Sequence, residues 1–214
     1  MDRDDIFRAI QSSIRDMPLL MVGSGYSATH DLPGMKALGN HLLTQFDYKY
    51  RGTACWDIFR ENIEKGEDLE TALSGVTLAP EILEDVKCET WNLISASDLK
   101  LFERIIFENE SLPLSRLLKK LCQAHPRALD IITTNYDRII EYACDAIGMP
   151  VVTGFEGEYL KRYSGKFCSQ NAVNLLKVHG SLDVFQDAHN TTISLPMLRE
   201  LRPGLIPEII TPGR

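Results

Sequence analysis

The sequence predicts an α/β fold: a mostly parallel sheet flanked by helices, with an all-helical insertion. Three observations carry that expectation. Leu19–Val22, Ala128–Thr133 and residues 173–178 (VNLLKV) are apolar runs of strand length, each opening onto glycine or polar residues. The first two are followed by stretches whose apolar residues recur three and four apart, the helical period. Between them, residues 52–123 carry that helical spacing almost throughout. Strands alternating with helices of these lengths build βαβ units and hence a parallel sheet.

The elements follow in order. Asp4 to Asp16 reads as a first helix with Ile6, Ile10, Ile14 and Met17 in one stripe. Asp2, Asp4 and Asp5 stand at the end where the helix dipole favours acids, and Pro18 closes it. The strand Leu19–Val22, expected to be buried, runs into Gly23-Ser24-Gly25, and a helix with Met35, Leu38, Leu42 and Phe46 on one face follows. In the insertion, Trp56, Phe59 and Ile63 share a face, as do Leu78, Ile82 and Val86. Leu99, Phe102 and Ile106 repeat the pattern, and so do Leu114, Leu117, Leu118 and Leu121. Pro80 and Pro113 fall at first-turn positions, and Gly52, Gly66 and Gly75 punctuate. A cap over a ligand cleft is the expected role of this segment. The strand Ala128–Thr133 meets Thr133-Thr134-Asn135-Tyr136-Asp137, then a helix carrying Ile139, Ile140, Ala143 and Ile147 that stops at Gly148 and Pro150. A strand at Val151–Thr153, an irregular region from Gly154 to Ser169, and the strand 173–178 ending at His179-Gly180 come next. Thr191–Leu195 reads as a strand, Leu198 as the centre of a helical turn, and Ile206–Thr211 as a last strand.

A chain of 214 residues with 44% hydrophobic and 25% charged residues can bury the core of one globular domain, residues 1–214. A net charge of −7 argues against a nucleic-acid or anionic-membrane surface. No apolar run approaches the roughly 20 residues of a membrane span. The start MDRDDIFRAI is acidic and amphipathic rather than basic then apolar, so it does not read as a signal peptide. Cysteines stand at 55, 88, 122, 144 and 168, an odd count with no C-x-x-C, which reads as free thiols in a reducing cytoplasm and no zinc knuckle.

In parallel α/β sheets ligands bind beyond the carboxyl ends of the strands. Three strands here end in VGSGYS, ITTNYD and KVHGS, which places Gly23, Ser24, Gly25, Tyr26, Ser27, Thr134, Asn135, Asp137 and His179 on one rim. Glycines at such a turn let the backbone approach a phosphate, and the following helix end favours an anion. Taken singly, each residue has a plainer role: Asn135 as a helix cap, His179 as a hydrogen-bonded structural histidine. A dehydrogenase site is the first competitor, since Gly23, Gly25 and Ala28 fit G-x-G-x-x-A. It needs a strand ending in an acid about 20 residues on. Asp47 has the distance, but QFDYKYRGTACWD around it contains no apolar strand, so that reading ranks lower.

GSGYSATHDLP, TTNYD and His179-Gly180 resemble, in order and context, the NAD-binding signatures of the sirtuin superfamily: G-A-G-x-S with a proline-containing loop, T-Q-N-x-D and H-G. The stretch Leu201–Ile209 is similar to the sirtuin segment after the zinc module. The resemblance spans most of the chain and leaves the helical insertion unmatched. Three departures stand out: no cysteine follows Cys168, Leu32-Pro33-Gly34-Met35 replaces Pro-Asp-Phe-Arg, and Thr134 replaces Gln. These changes resemble the SIR2-like NAD+-hydrolysing domains of bacterial anti-phage defence proteins, which typically carry T-T-N-Y-D and lack zinc. The resemblance therefore implies a Rossmann-like sheet without a zinc module. It implies NAD+ glycohydrolase activity, NAD+ as substrate without a metal, and NAD+ depletion in the cytoplasm as a defence effector. Gly23, Ser24, Gly25, Tyr26 and Ser27 would cradle the pyrophosphate, with Pro33, Thr134, Gly180 and Ser181 also in the cofactor site. Asn135 would position a water or the ribose hydroxyls and His179 would act as general base. Asp137 would hold the nicotinamide carboxamide or be only a first-turn helix acid, and Tyr26 would stack on the cofactor or pack; both pairs stay open. A homo-oligomer and a regulatory or sensor domain or partner are implied too, with these residues as the N-terminal part of a longer chain. The alternatives are a non-catalytic NAD+ or ADP-ribose sensor and a zinc-free deacylase or ADP-ribosyltransferase. Of the remaining histidines, His41 reads as helix surface, and His30, His125 and His189 carry no motif.

Overall fold

The structure, a computed structural model, describes residues 2–6, 8, 12, 18–67, 69–124 and 128–209. Residues 3–6 are helical, but Ile10, Ile14, Met17, His125 and Thr211, all named above, lie outside the described residues.

The fold is mixed α/β with two sheets. The strands β1 (Leu20–Val22), β2 (Leu129–Thr133), β3 (Val151–Val152) and β6 (Val173–Lys177) form a four-stranded parallel sheet in the order β1-β2-β6-β3. The strands β4 (Phe155–Glu156), β5 (Lys161–Tyr163), β7 (Gly180–Gln186), β8 (Thr192–Ser194) and β9 (Ile206–Ile209) form a separate five-stranded sheet. Its order is β4-β5-β8-β7-β9, and every pairing in it is antiparallel. The expectation of one mostly parallel sheet is corrected by this second layer. Its physical origin is connection length: residues 157–160 and 187–191 can only reverse the chain, because a parallel crossover needs a dozen residues or more. The region Gly154–Ser169, read as irregular, in fact contains the β4–β5 hairpin. No helical turn forms around Leu198; residues 195–200 are bends and coil.

Strand β1 is also less buried than its composition suggests. Among the described residues it is an edge strand paired only with β2, and Met21 is 81% exposed while Leu20 and Val22 face inward.

After the helical residues 3–6, seven helices are described: α1 (Ser24–Ala28), α2 (Met35–Tyr50), α3 (Ala54–Glu64), α4 (Leu69–Leu73), α5 (Pro80–Phe107), α6 (Pro113–Ala124) and α7 (Ile139–Asp145). Pro80 opens α5 where its missing N–H leaves nothing unsatisfied. Trp56, Phe59, Ile82 and Trp91 of the helical segment belong to the same buried apolar cluster as Ile131 of β2, Phe185 of β7 and Ile209 of β9. The segment is keyed into the body by polar contacts as well as packing. The Trp91 indole N–H donates to the Leu182 carbonyl at 2.8 Å, and its ring lies 6.0 Å from that of Phe185. His41 is not free helix surface: it is half-buried on α2, with Nε2 2.6 Å from Glu89 Oε1 on α5.

Candidate functional site

In the parallel sheet Val22 is level with Thr133, and Thr133 with Lys177, so three strands end at the same height. Thr133 fastens this edge: its hydroxyl donates to the Val22 carbonyl at 2.7 Å and accepts the Asn135 N–H at 3.0 Å. That arrangement turns the chain from β2 toward β1. The Asn135 amide then donates to Ser27 Oγ at 2.8 Å, and the Ser27 hydroxyl donates to Asp137 Oδ2 at 2.6 Å. Asp137 Oδ1 accepts the Ile139 N–H at the start of α7, at 3.2 Å. Ser27, Asn135 and Asp137 are all buried. The two motifs, 108 residues apart, thus meet through one hydroxyl. Burial pushes the Asp137 carboxyl up, with the Ser27 hydroxyl and the Lys177 ammonium pulling the other way.

Beside this trio, Gly23, Ser24, Gly25 and Thr134 are exposed. Gly23 has φ −110°, open to any residue, and a Cβ built on Gly23 or Gly25 would meet nothing within 4 Å. The protein's own packing therefore does not demand glycine at either position. Helix α1 has five residues, so its dipole is small; what the strip offers is bare backbone next to buried polar groups.

The other expected residues divide. The Tyr26 hydroxyl accepts the Leu114 N–H at 3.3 Å, and its half-buried ring meets His30 edge-on at 5.1 Å. Pro33 is half-buried in the loop between α1 and α2. His179 sits half-buried in the two-residue turn between β6 and β7, and its side chain makes no hydrogen bond or ion pair among the described residues. Gly180 has a structural explanation: φ is +95° and a Cβ would lie 1.8 Å from the Glu208 carbonyl oxygen of β9. Ser181 is buried, and its hydroxyl accepts from Lys177 Nζ at 3.3 Å, the ammonium that also donates to the Asp137 carbonyl. Asn135 is not a helix cap, since Arg138 holds that position. Asp137 does act at the start of the helix, through Ile139. Asp47 lies inside α2, paired to Arg51, and ends no strand.

Behind the trio stands a buried ionic cluster that the sequence reading did not single out. Arg138, 3% exposed, lies 2.8 Å from Asp98 Oδ2 and donates to Asp183 Oδ1, also at 2.8 Å. Asp98 also accepts the Arg138 backbone N–H at 2.8 Å and the Tyr142 hydroxyl at 2.5 Å. Burial alone would weaken the Arg138 charge, but Asp98 and Asp183 outweigh it and hold the guanidinium firmly protonated. Burial, followed by the Asp98 charge, drives the Tyr142 hydroxyl far up. Lys177 pairs with Glu141 at 2.6 Å and donates to the carbonyls of Tyr136 and Asp137. Together these groups fix the backbone that presents Asn135 and Asp137. One signal was available: Asp98 is a lone acid on the buried stripe Trp91, Ile94, Leu101 of α5.

No three His, Cys, Asp or Glu side chains among the described residues are grouped to hold a metal ion, and no described helix is long and apolar enough to cross a membrane. No family model and no curated protein matches the chain.

Proposed function

We propose that the chain is an NAD+ glycohydrolase whose reaction centre lies at Ser27, Asn135 and Asp137, with the Gly23–Gly25 backbone as the pyrophosphate seat. The observation that carries this reading is the Ser27 bridge, which joins the glycine turn to the T-T-N-Y-D motif beside side-chain-free backbone. In the reaction the bond between nicotinamide nitrogen and ribose C1′ breaks and a water oxygen bonds to C1′. The neutral nicotinamide leaves with the bonding electron pair, and the water's surplus proton passes to His179 and on to solvent. The transition state resembles an oxocarbenium ion, so positioning and electrostatics supply most of the effect. Asn135 keeps its amide oxygen and a second N–H beyond the bond to Ser27, enough to orient a water or a ribose hydroxyl. Asp137 retains lone pairs that can receive the carboxamide N–H while it holds Ser27 in place. The biological reading rests on the motif resemblance: a defence effector in the cytoplasm, assembled as a homo-oligomer and held off by a sensor domain or partner.

A second reading has its own observation. His179 is unsupported by any orienting hydrogen bond among the described residues, which suits a module that binds NAD+ without turning it over. Titration calorimetry with NAD+ beside a nicotinamide-release assay separates the two. Hydrolysis predicts saturable binding with turnover, and a loss on the order of 10²–10⁴ in rate for His179→Ala with binding retained. Binding with no nicotinamide from the wild type, under any activating condition of the full protein, selects the sensor.

A further inference from the structure

The trio leaves unused a cavity of about 770 Å³ between α7 and the antiparallel sheet, closed on its third side by β3 and β6. We infer that this cleft is a second binding site, for a neutral, flat heteroaromatic compound that carries N–H donors, of about nucleoside size. Lys177, Gly180 and Ser181 line it, whereas the Gly23–Ser27 turn, Asn135, Asp137 and His179 do not, so it adjoins the rim without sharing the residues of the proposed reaction centre. Its volume falls in the range of small-molecule sites.

Helix α7 explains why the cleft is polar at its base. Ile139, Ile140 and Ala143 are buried in the core, whereas Arg138, Glu141, Tyr142 and Asp145, spaced by three and four, line the cleft. Charge bookkeeping then selects the ligand. Arg138 is committed to Asp98 and Asp183, Lys177 to Glu141, and Lys161 acts on the Asp145 carboxylate, so the lining sets four acids (Glu141, Asp145, Asp183 and Glu208) against three cations and disfavours a phosphate. The acids are less fully committed: Glu141 Oε2 is buried with no hydrogen-bond partner among the described residues, and Asp145 lies beside it on the same helix face. Burial pushes both carboxyls up, with Lys177 pulling Glu141 and Lys161 pulling Asp145 the other way. An N–H donor satisfies such a floor and an anion does not.

The mouth supplies the flat surface. Tyr163 is 64% and Phe167 42% exposed, although both are large rings lining the cleft. Their placement is built in: Gly154 has φ +81°, and a Cβ there would come within 3.0 Å of Tyr163 and 3.3 Å of Phe167. Both rings thus rest on a backbone position that only glycine leaves clear, and Phe155 braces Tyr163 edge-on at 5.3 Å. Preset aromatic faces above an acceptor-rich floor suit a stacked heterocycle with exocyclic or ring N–H groups.

Adenosine is the probe, with adenosine monophosphate as its charged counterpart, titrated calorimetrically into the intact chain in the presence of saturating ADP-ribose to occupy the rim. The expected result is saturable adenosine binding that weakens about tenfold or more in Tyr163→Ala and again in Phe167→Ala, from loss of stacking. Asn135→Ala should leave it unchanged, and the monophosphate should bind more weakly than adenosine. Both aromatic side chains are exposed, so these substitutions leave the fold intact, checked by the denaturation midpoint. The inference is overturned by any of three results: no saturable binding at millimolar adenosine, monophosphate binding as tight as adenosine, or adenosine affinity that follows Asn135 rather than the two rings.

Discussion

Ser27 is where two distant stretches of chain become one site, because its single hydroxyl both accepts from Asn135 and donates to Asp137. Ser27→Ala removes both bonds and leaves buried polar groups unmet. A stability loss of about 1–3 kcal/mol is expected from urea denaturation. Asp137 gives a pH signature. Its carboxyl is raised by burial, so the folded state holds the proton to higher pH than the unfolded chain does. The folded state is therefore favoured at the acid end, and that contribution is lost as pH rises from the ordinary carboxylate value of about 3.9 through the raised one. In Asp137→Asn the amide oxygen still accepts from Ser27, but nothing titrates. Urea midpoints at about pH 4 and pH 8 should fall less between the two for the variant than for the wild type; equal falls would contradict the burial argument. Glu141, raised in the same direction, is present in both proteins and drops out of the difference. Ser27, Asn135 and Asp137 were legible in the sequence because each follows a strand at a motif position. Lys177 and Arg138 were not, since their roles come from partners far along the chain, Asp98 and Glu141 among them.

At the scale of elements, the glycines separate into two kinds that sequence alone cannot distinguish. Gly180 is fixed by the close approach of β9, so Gly180→Ala should destabilise the fold strongly or prevent it. Gly25 lies in α1 with open space around it. Gly25→Ala should leave the fold as stable or stabilise it by up to about 1 kcal/mol, by helix propensity, while weakening NAD+ binding. Paired thermal melts and titrations check both; unchanged NAD+ binding in Gly25→Ala would remove the glycine strip from the site. Asp98 tests how α5 is fastened. Asp98→Ala strips the buried Arg138 of one carboxylate and should destabilise by about 3–5 kcal/mol in urea denaturation. The long helices and the parallel strands were readable from period and length. The strands β4, β5 and β8 were harder, with two or three residues each, and the β4–β5 hairpin was missed. Strand β7 was missed because GSLDVFQ begins directly after a two-residue turn, and its inward positions do not alternate cleanly.

Over the whole molecule, one apolar cluster spans both sheets and the helical segment, while the polar groups gather at two places: the level ends of β1, β2 and β6, and the cleft behind α7. Lys177 belongs to both, pairing with Glu141 on the cleft side and holding the Tyr136 and Asp137 carbonyls on the rim side. The α/β class was legible because it depends on local patterns. The second sheet and the cleft depend on which short strands meet after two chain reversals, which no local pattern encodes. The central claim is that Asn135, held by Ser27, is the group on which NAD+ hydrolysis depends. Nicotinamide release by the wild type and by Asn135→Ala, at matched denaturation midpoints and under conditions where the wild type turns over, measures it most directly. The account predicts a loss on the order of 10²–10⁴ in rate for the variant. Near-normal nicotinamide release from a folded Asn135→Ala protein would contradict it.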